Sequence, residues 1–307
     1  MRYDEQDRES TNVEDRRGER GGFGFPGGRG GGIQIPIGGK GGFSLTTLLI
    51  LGAIMLLFGI NPLEVLLDGG TRDRQSAGEE AAQGRRPAER PGAENAMASF
   101  VKKVLADTED VWGREFKRFN RTYQEPELVM FSGATRTACG TGVSQMGPFY
   151  CPLDQKVYID LAFYDELKRR FNAPGDFAQA YVIAHEVGHH VQTLLGIAEK
   201  VQEMKQRMSD VEANALQVRM ELQADCLSGV WANLNHQLKN RLEEGDIEEG
   251  LNAASQIGDD MIQRRTQGHV VPDAFTHGSA KQRVRWFKTG FQSGEMQLCD
   301  TFNTDDL

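Results

Sequence analysis

The sequence predicts a mainly helical α+β domain with a small antiparallel sheet, preceded by one transmembrane helix. The first observation is an apolar run at residues 43–60, with no charged side chain between Lys40 and Glu64. The second is the spacing of apolar residues by three and four positions from residue 97 onward, which is typical of amphipathic helices. The third is a pair of short runs with the apolar and aromatic residues typical of strands, on either side of a glycine-rich stretch.

Length, charge and cysteine content limit the kind of protein. A chain of 307 residues, 26% charged and 39% hydrophobic, suits one domain with additional segments. The net charge of -9 offers no basic surface, so we expect no nucleic-acid partner. The four cysteines form no C-x-x-C pair, which argues against a thiolate zinc site. Their even number fits two disulfides in an oxidising compartment.

Residues 1–42 are predicted to form a disordered, glycine-rich N-terminal arm. Residues 1–20 carry charges of both signs and almost nothing apolar, and residues 21–42 show no periodic apolar face. The alternative for the glycine-rich part is a contact segment for a partner or for the membrane surface.

Residues 43–62 are predicted to be a transmembrane helix, because the apolar run reaches the length of about 20 residues that a crossing requires. A signal peptide seldom follows so long a polar leader, and no suitable cleavage site follows the run. Arg20, Arg29 and Lys40 precede the run with no acidic residue among them, whereas the basic residues after it are mixed with Asp. This bias favours a cytoplasmic N-terminus and a domain on the opposite side.

Residues 63–95 are predicted to be a flexible linker, and residues 96–307 a globular domain. Apolar spacing predicts an amphipathic helix at 97–119. Residues 128–131 and 156–160 are expected to be short strands of a small antiparallel sheet, and apolar residues from 161 to 171 to form another helix.

The next predicted helix contains the motif H-E-x-x-H, formed by His185, Glu186 and His189. Residues four apart lie on one face of a helix, so both imidazoles can point at one metal ion. Two histidines, an adjacent carboxylate and an open position are the arrangement of catalytic zinc sites. We expect Asp176 to cap this helix and Gly196 to end it.

A catalytic zinc site needs a third protein ligand. A long helix is predicted from about Ala198 to His236, and within it Glu221 and Asp225 share one face. Glu221 is the candidate ligand, and Asp225 is placed to accept a hydrogen bond from a ligand histidine. The alternative, a solvated acidic face, is disfavoured by the apolar residues around this pair.

The motif H-E-x-x-H followed by E-x-x-x-D resembles the gluzincin pattern. More closely, several segments resemble a family of neutral zinc metallopeptidases anchored in bacterial membranes. These segments are residues 147–152, 184–192, 221–226, 229–232, 276–279 and 282–283. The ligand positions show no departure from the pattern, and the resemblance covers roughly residues 96–299 and the N-terminal apolar helix.

The resemblance implies a zincin-like metallopeptidase domain with Zn2+ as cofactor and a protein or peptide as substrate. His185, His189 and Glu221 would be the metal ligands, Glu186 the general base, and Asp225 the partner of a ligand histidine. The protein would be a single-pass protein of the bacterial inner membrane, with the catalytic domain periplasmic or extracellular.

His277 has two alternative roles. The segment from His277 to Arg283 is similar to the T-H-P-x-x-x-x-R element of membrane-bound peptidases of the Ste24/HtpX type, with Gly278 in place of Pro. A histidine near the metal would donate a hydrogen bond to the developing oxyanion. Alternatively, His277 caps the helix that follows.

Four cysteines allow three pairings. Cys139 and Cys151 flank a glycine-rich turn region, so we expect them to pair, which leaves Cys226 to pair with Cys299. The second bridge would hold the C-terminal segment against the metal site. The alternative is that Cys226 is a free, buried, small apolar residue.

A second hypothesis is a non-catalytic scaffold or assembly factor of the cell envelope, stabilised by zinc. A structural zinc site is closed by a fourth protein ligand. The spare candidates near the motif are Cys226 and His190, and His190 should point elsewhere because it directly follows His189. The presence of Glu186 also favours the peptidase, because a structural site does not require this carboxylate.

Overall fold

The computed structural model describes residues 1–19 and 91–307, which belong to one compact unit. The elements in chain order are β1 (Val13–Asp15), α1 (Pro91–Arg118), β2 (Glu127–Phe131), β3 (Ala134–Thr137), β4 (Gly140–Val143), β5 (Phe149–Cys151), β6 (Lys156–Asp160), α2 (Ala162–Arg169), α3 (Asp176–Leu194), α4 (Ile197–Lys205), α5 (Asp210–Lys239), α6 (Asp246–Gln256), α7 (Asp259–Gln267) and α8 (Ala280–Ser293). The domain is therefore mainly helical with a small amount of sheet, as predicted.

The main sheet is mixed, whereas the sequence predicted an antiparallel one. Its strand order is β1-β2-β6-β5, with β1 and β6 both parallel to β2 and only β5 antiparallel to β6. β3 and β4 form a separate antiparallel hairpin. The prediction was wrong because it paired β2 with β6 through the glycine-rich stretch, which instead forms β3, β4 and β5.

Residues 1–19 are ordered, which corrects the prediction of disorder for this part of the N-terminal arm. Residues 1–19 pack on the domain, and β1 pairs with β2. The Met1 side chain is buried in the main core, and its α-amino nitrogen lies 2.8 Å from both carboxylate oxygens of Asp176. The charged residues of this segment find partners on the domain, which composition alone does not reveal.

Residues 20–90 lie outside the described part of the chain, and so do the predicted spanning helix at 43–62 and residues 63–90 of the predicted linker. Residues 91–95, the end of that predicted linker, instead form the start of helix α1. Within residues 1–19 and 91–307, no helix has both the length and the hydropathy that a membrane crossing requires.

The core forms where α3 and α5 pack together, with α8 against α5 and α1 alongside. Glycine allows two of these close approaches. A Cβ at Gly188 on α3 would lie 3.1 Å from the Ala224 carbonyl oxygen on α5, and a Cβ at Gly229 would lie 2.1 Å from the Phe287 carbonyl oxygen on α8. The Gly188 contact brings the motif helix close to the helix that carries Glu221 and Asp225.

Two helix boundaries differ from the prediction. Asp176 is the first residue of α3 and Gly175 is its cap, so the Asp176 carboxylate is free to bind Met1. The predicted long helix after Gly196 is two helices, because Ser209 starts α5 with a capping box in which Ser209 and Glu212 bond each other's backbone N–H. Gly196, with φ +75°, ends the motif helix region as expected.

Both predicted disulfides are present. Cys139 is bonded to Cys151 with a Cα–Cα distance of 5.8 Å, and Cys226 to Cys299 with a distance of 5.5 Å. Cys226 is therefore not a free thiol. The second bridge connects α5 to the C-terminal segment one residue after Asp225.

Candidate metal centre

Two helices supply the candidate ligands. His185 and His189 lie one turn apart on α3, and Glu221 lies on α5. One ligand atom from each residue lies within 4.8 Å of the other two. The Nε2 atoms of His185 and His189 lie 3.2 and 3.4 Å from the same carboxylate oxygen of Glu221, Oε2. Two nitrogens and one oxygen thus converge on a point, as in zinc sites with two histidines and a glutamate.

The far nitrogen of each histidine has its own acceptor. Nδ1 of His185 lies 2.9 Å from Oδ1 of Asp225, and Nδ1 of His189 lies 2.9 Å from Oε1 of Gln192. An acceptor at Nδ1 keeps the proton there, which directs the Nε2 lone pair toward the centre. The two imidazole lone pairs and the carboxylate oxygen all carry negative charge density and face one another. A divalent cation between them would offset their repulsion, so these residues fit such an ion.

Asp225 is the most enclosed carboxylate of the site. It is fully buried and accepts hydrogen bonds from Arg283 through Nε at 2.8 Å and Nη2 at 2.9 Å, and from the Tyr181 hydroxyl. Burial by itself raises the pKa of Asp225, but the interactions with Arg283 and His185 lower it by a larger amount. The net result is a pKa of about 2. Asp225 therefore remains ionised and continues to accept the His185 proton.

Further hydrogen bonds position Gln192 and Glu221. Gln192 donates through Nε2 to the Met220 carbonyl at 2.8 Å, which leaves its Oε1 free to face His189. Gln217 donates to Oε1 of Glu221 at 2.7 Å, which leaves Oε2 for the centre. Burial raises the pKa of Glu221, but His189 and His185 lower it well below its usual range, so Glu221 is a carboxylate.

Glu186 is the candidate general base. It is buried at 8% exposure, and this burial raises its pKa, while the two neighbouring histidines partly offset the rise. A carboxyl group with a raised pKa, adjacent to a metal site, is suited to accept and then release a proton.

His277 does not cap the helix that follows it. Ser279 caps α8 with a capping box, and His277 instead bonds Asp259 through Nδ1 at 3.3 Å and through its backbone N–H at 2.6 Å. Burial lowers the pKa of His277, but Asp259 and the charge of Glu221 raise it by more. Its side chain is 52% exposed, so it is accessible from solvent.

The two spare ligand candidates point away from the centre. His190 is fully buried, with Nδ1 3.0 Å from the Tyr150 hydroxyl and Nε2 2.6 Å from the Gln124 carbonyl oxygen. Cys226 is held in its disulfide. Neither residue is available as a fourth protein ligand.

Sequence reasoning missed the roles of Tyr181, Gln192 and Arg283. Gln192 could have been found, because it is three residues after His189 and so shares its helical face. Tyr181 could have been found in the same way, because it lies four residues before His185 and shares its helical face. Arg283 had no local signal for its contact with Asp225, which is 58 residues away in the chain.

Comparison with known proteins agrees with this geometry. A family model described as putative neutral zinc metallopeptidase matches residues 1–302. The uncharacterized protein YpfJ of Escherichia coli K12 is 50% identical over 295 residues, which is 96% of each chain. The uncharacterized protein Rv2575 of Mycobacterium tuberculosis H37Rv is 40% identical over 266 residues, 82% of this chain and 86% of the relative. No solved structure matches. The chain therefore belongs to the putative neutral zinc metallopeptidase family.

Proposed function

We propose that this protein is a zinc-dependent endopeptidase that hydrolyses peptide bonds with Glu186 as general base. The observation that carries the proposal is the convergence of His185 and His189 on one oxygen of Glu221, with a proton acceptor behind each imidazole. His185, His189 and Glu221 would hold the ion. A bound Zn2+ lowers the pKa of a water molecule toward neutrality and polarises a carbonyl group.

The chain's own groups supply the proton transfers. The Glu186 carboxylate takes a proton from the attacking water and passes it to the leaving amine. Its burial keeps bulk water from competing for that proton. His277, oriented by Asp259, donates a hydrogen bond to the oxyanion that forms at the scissile carbonyl.

An extended peptide has a docking edge next to the centre. β5 is the edge strand of the main sheet and packs against α3. The Tyr150 hydroxyl on β5 lies 3.0 Å from His190, which directly follows His189. A peptide added as a further strand along β5 would be held by backbone hydrogen bonds beside the metal helix.

The zinc-stabilised scaffold is the weaker alternative, because a closed structural site needs a fourth protein ligand. Cys226 and His190 were the candidates, and both have other partners.

The proposal includes attachment to the lipid bilayer through residues 43–62, and a position for the domain outside the cytoplasm. The apolar run supports the first part. The two disulfides support the second, because disulfides persist in oxidising compartments.

The test separates metal binding from catalysis. Glu186→Gln should retain zinc and lose hydrolysis of a casein substrate, whereas His185→Ala and Glu221→Ala should lose zinc. Glu115→Gln is the matched control, because Glu115 is similarly buried but lies on α1, and it should retain both properties. Hydrolysis by Glu186→Gln at the parent rate would refute the general base, and full zinc content in Glu221→Ala would refute the third ligand.

A further inference from the structure

The N-terminal segment, residues 1–19, is attached to the domain at three places. The first is its start. The Met1 side chain lies in the main core, and its α-amino nitrogen contacts Asp176 at 2.8 Å, Asp246 at 3.2 Å and Glu243 at 3.3 Å. A positive group among three carboxylates, beside a buried apolar side chain, holds the beginning of the segment at the N-terminus of the motif helix.

The second attachment is a buried ion-pair network around Arg241. Its guanidinium bonds Asp7 at 2.7 and 2.8 Å and Asp107 at 2.9 Å, and it stacks 4.4 Å from the centre of the Tyr3 ring. Asp107 is on α1 and is 1% exposed. If the segment left this position, the buried Arg241 would keep Asp107 but lose the two hydrogen bonds to Asp7, so the ion-pair network favours the docked position.

The third attachment is the backbone ladder of β1. Val13, Glu14 and Asp15 pair in parallel with residues 128–130 of β2. The Leu128 N–H donates to the Asn12 carbonyl at 2.8 Å, and the Arg16 N–H donates to the Met130 carbonyl at 2.8 Å. β1 is thereby an edge strand of the main sheet, and this pairing satisfies buried backbone groups of β2.

These contacts constrain the topology, because the apolar run at 43–60 lies between the segment and the domain in sequence. A helix that crosses the hydrocarbon core once separates its two flanks by about 30 Å of lipid. Residues 13–15 would then lie on the opposite side from β2. A second copy in the same orientation would not supply the strand either, because its N-terminal segment would be on the wrong side too.

We infer that residues 1–19 and residues 91–307 lie on the same side of the membrane. The predicted orientation, with a cytoplasmic N-terminus and an external domain, is incompatible with the pairing of β1 and β2. Since the domain contains two disulfides, the N-terminal segment shares its oxidising compartment. This inference is independent of the proposed peptidase activity.

Cysteine labelling tests the inference in the full-length protein. The four native cysteines are all in disulfides, so a single added cysteine is the only free thiol. Glu5 in the N-terminal segment and Glu203 on α4 are both exposed. Glu5→Cys and Glu203→Cys are each treated in intact cells with a membrane-impermeant maleimide, and labelling of denatured lysate defines the maximum.

We expect both variants to be labelled in intact cells, because both sites are inferred to lie in the same oxidising compartment; protection of both would overturn the assignment of that compartment. If one site is labelled in intact cells and the other is labelled only after permeabilisation, the inference is overturned.

A second measurement tests the docking itself. The Ser99 hydroxyl on α1 donates to the Glu9 carboxylate, so Glu9→Cys combined with Ser99→Cys should form a disulfide. The pair Glu5→Cys with Ser99→Cys is the control, and absence of the expected bond would also overturn the inference.

Discussion

Asp225→Asn should weaken zinc binding about 10–100-fold, because Asp225 fixes the proton of His185. The carboxylate lies 2.9 Å from His185 Nδ1 and accepts two more bonds from Arg283. A neutral amide accepts less strongly, and its NH2 group would face either the guanidinium or the imidazole N–H. The expected increase in Kd corresponds to about 1.4–2.8 kcal/mol.

The same substitution should also lower the stability of the metal-free protein. Arg283 is 3% exposed, and Asp225 is its buried carboxylate partner. Loss of one member of a buried ion pair costs about 3–5 kcal/mol. Zinc affinity therefore has to be measured by competition with a chelator, at a temperature where circular dichroism shows both proteins folded, with urea unfolding of the metal-free forms measured separately.

Asp107→Asn is the matched control. Asp107 is also buried and accepts a hydrogen bond from a buried arginine, Arg241, but it lies on α1. We expect a comparable loss of stability and an unchanged Kd for zinc. The reasoning would be refuted if Asp225→Asn bound zinc like the parent, or if Asp107→Asn weakened zinc binding equally.

Two further predictions concern packing and pH. Gly229→Ala should lower the free energy of unfolding in urea by about 1–3 kcal/mol or more, because a Cβ there meets backbone atoms of α8. Gly113→Ala is the control: a Cβ there meets nothing within 4 Å, so the substitution should stabilise α1 by about 0.5–1 kcal/mol. Equal stabilities of the two variants would contradict the close approach of α5 and α8. The hydrogen bond from Arg241 lowers the pKa of Asp7, so its contribution to stability is present above about pH 4 and is lost as the pH falls through the lowered pKa. The difference in Tm between the parent and Asp7→Asn should accordingly shrink as the pH falls through that lowered pKa, and a difference that persisted once Asp7 is protonated would exclude this ion pair as its cause.

The local features of the site followed from the sequence. The spacing of His185 and His189, and of Glu221 and Asp225, is a property of the α-helix, whose periodicity places residues four apart on one face. The helix carrying the motif and the helix α1 were also predictable, because apolar periodicity is a local signal.

Contacts between distant segments needed the tertiary structure. Arg283 reaches Asp225, and Arg241 reaches Asp7, only because helix packing brings together residues far apart in the chain. The parallel pairing of β2 with β6 depends on where the intervening hairpin of β3 and β4 folds away.

The N-terminal segment shows the difference most clearly. Its charged, polar composition predicts disorder when the segment is considered alone, because it has too little apolar surface to offset the entropy of ordering. In the structure its charges bind opposite charges on the domain, and its backbone completes an existing sheet. The sequence by itself determined the candidate chemistry of α3 and α5, while the tertiary structure decided which residues support the centre and that the N-terminal segment packs on the domain. The physical reason is that periodicity is encoded locally, whereas the partners of a charge or a strand edge exist only after the chain has folded.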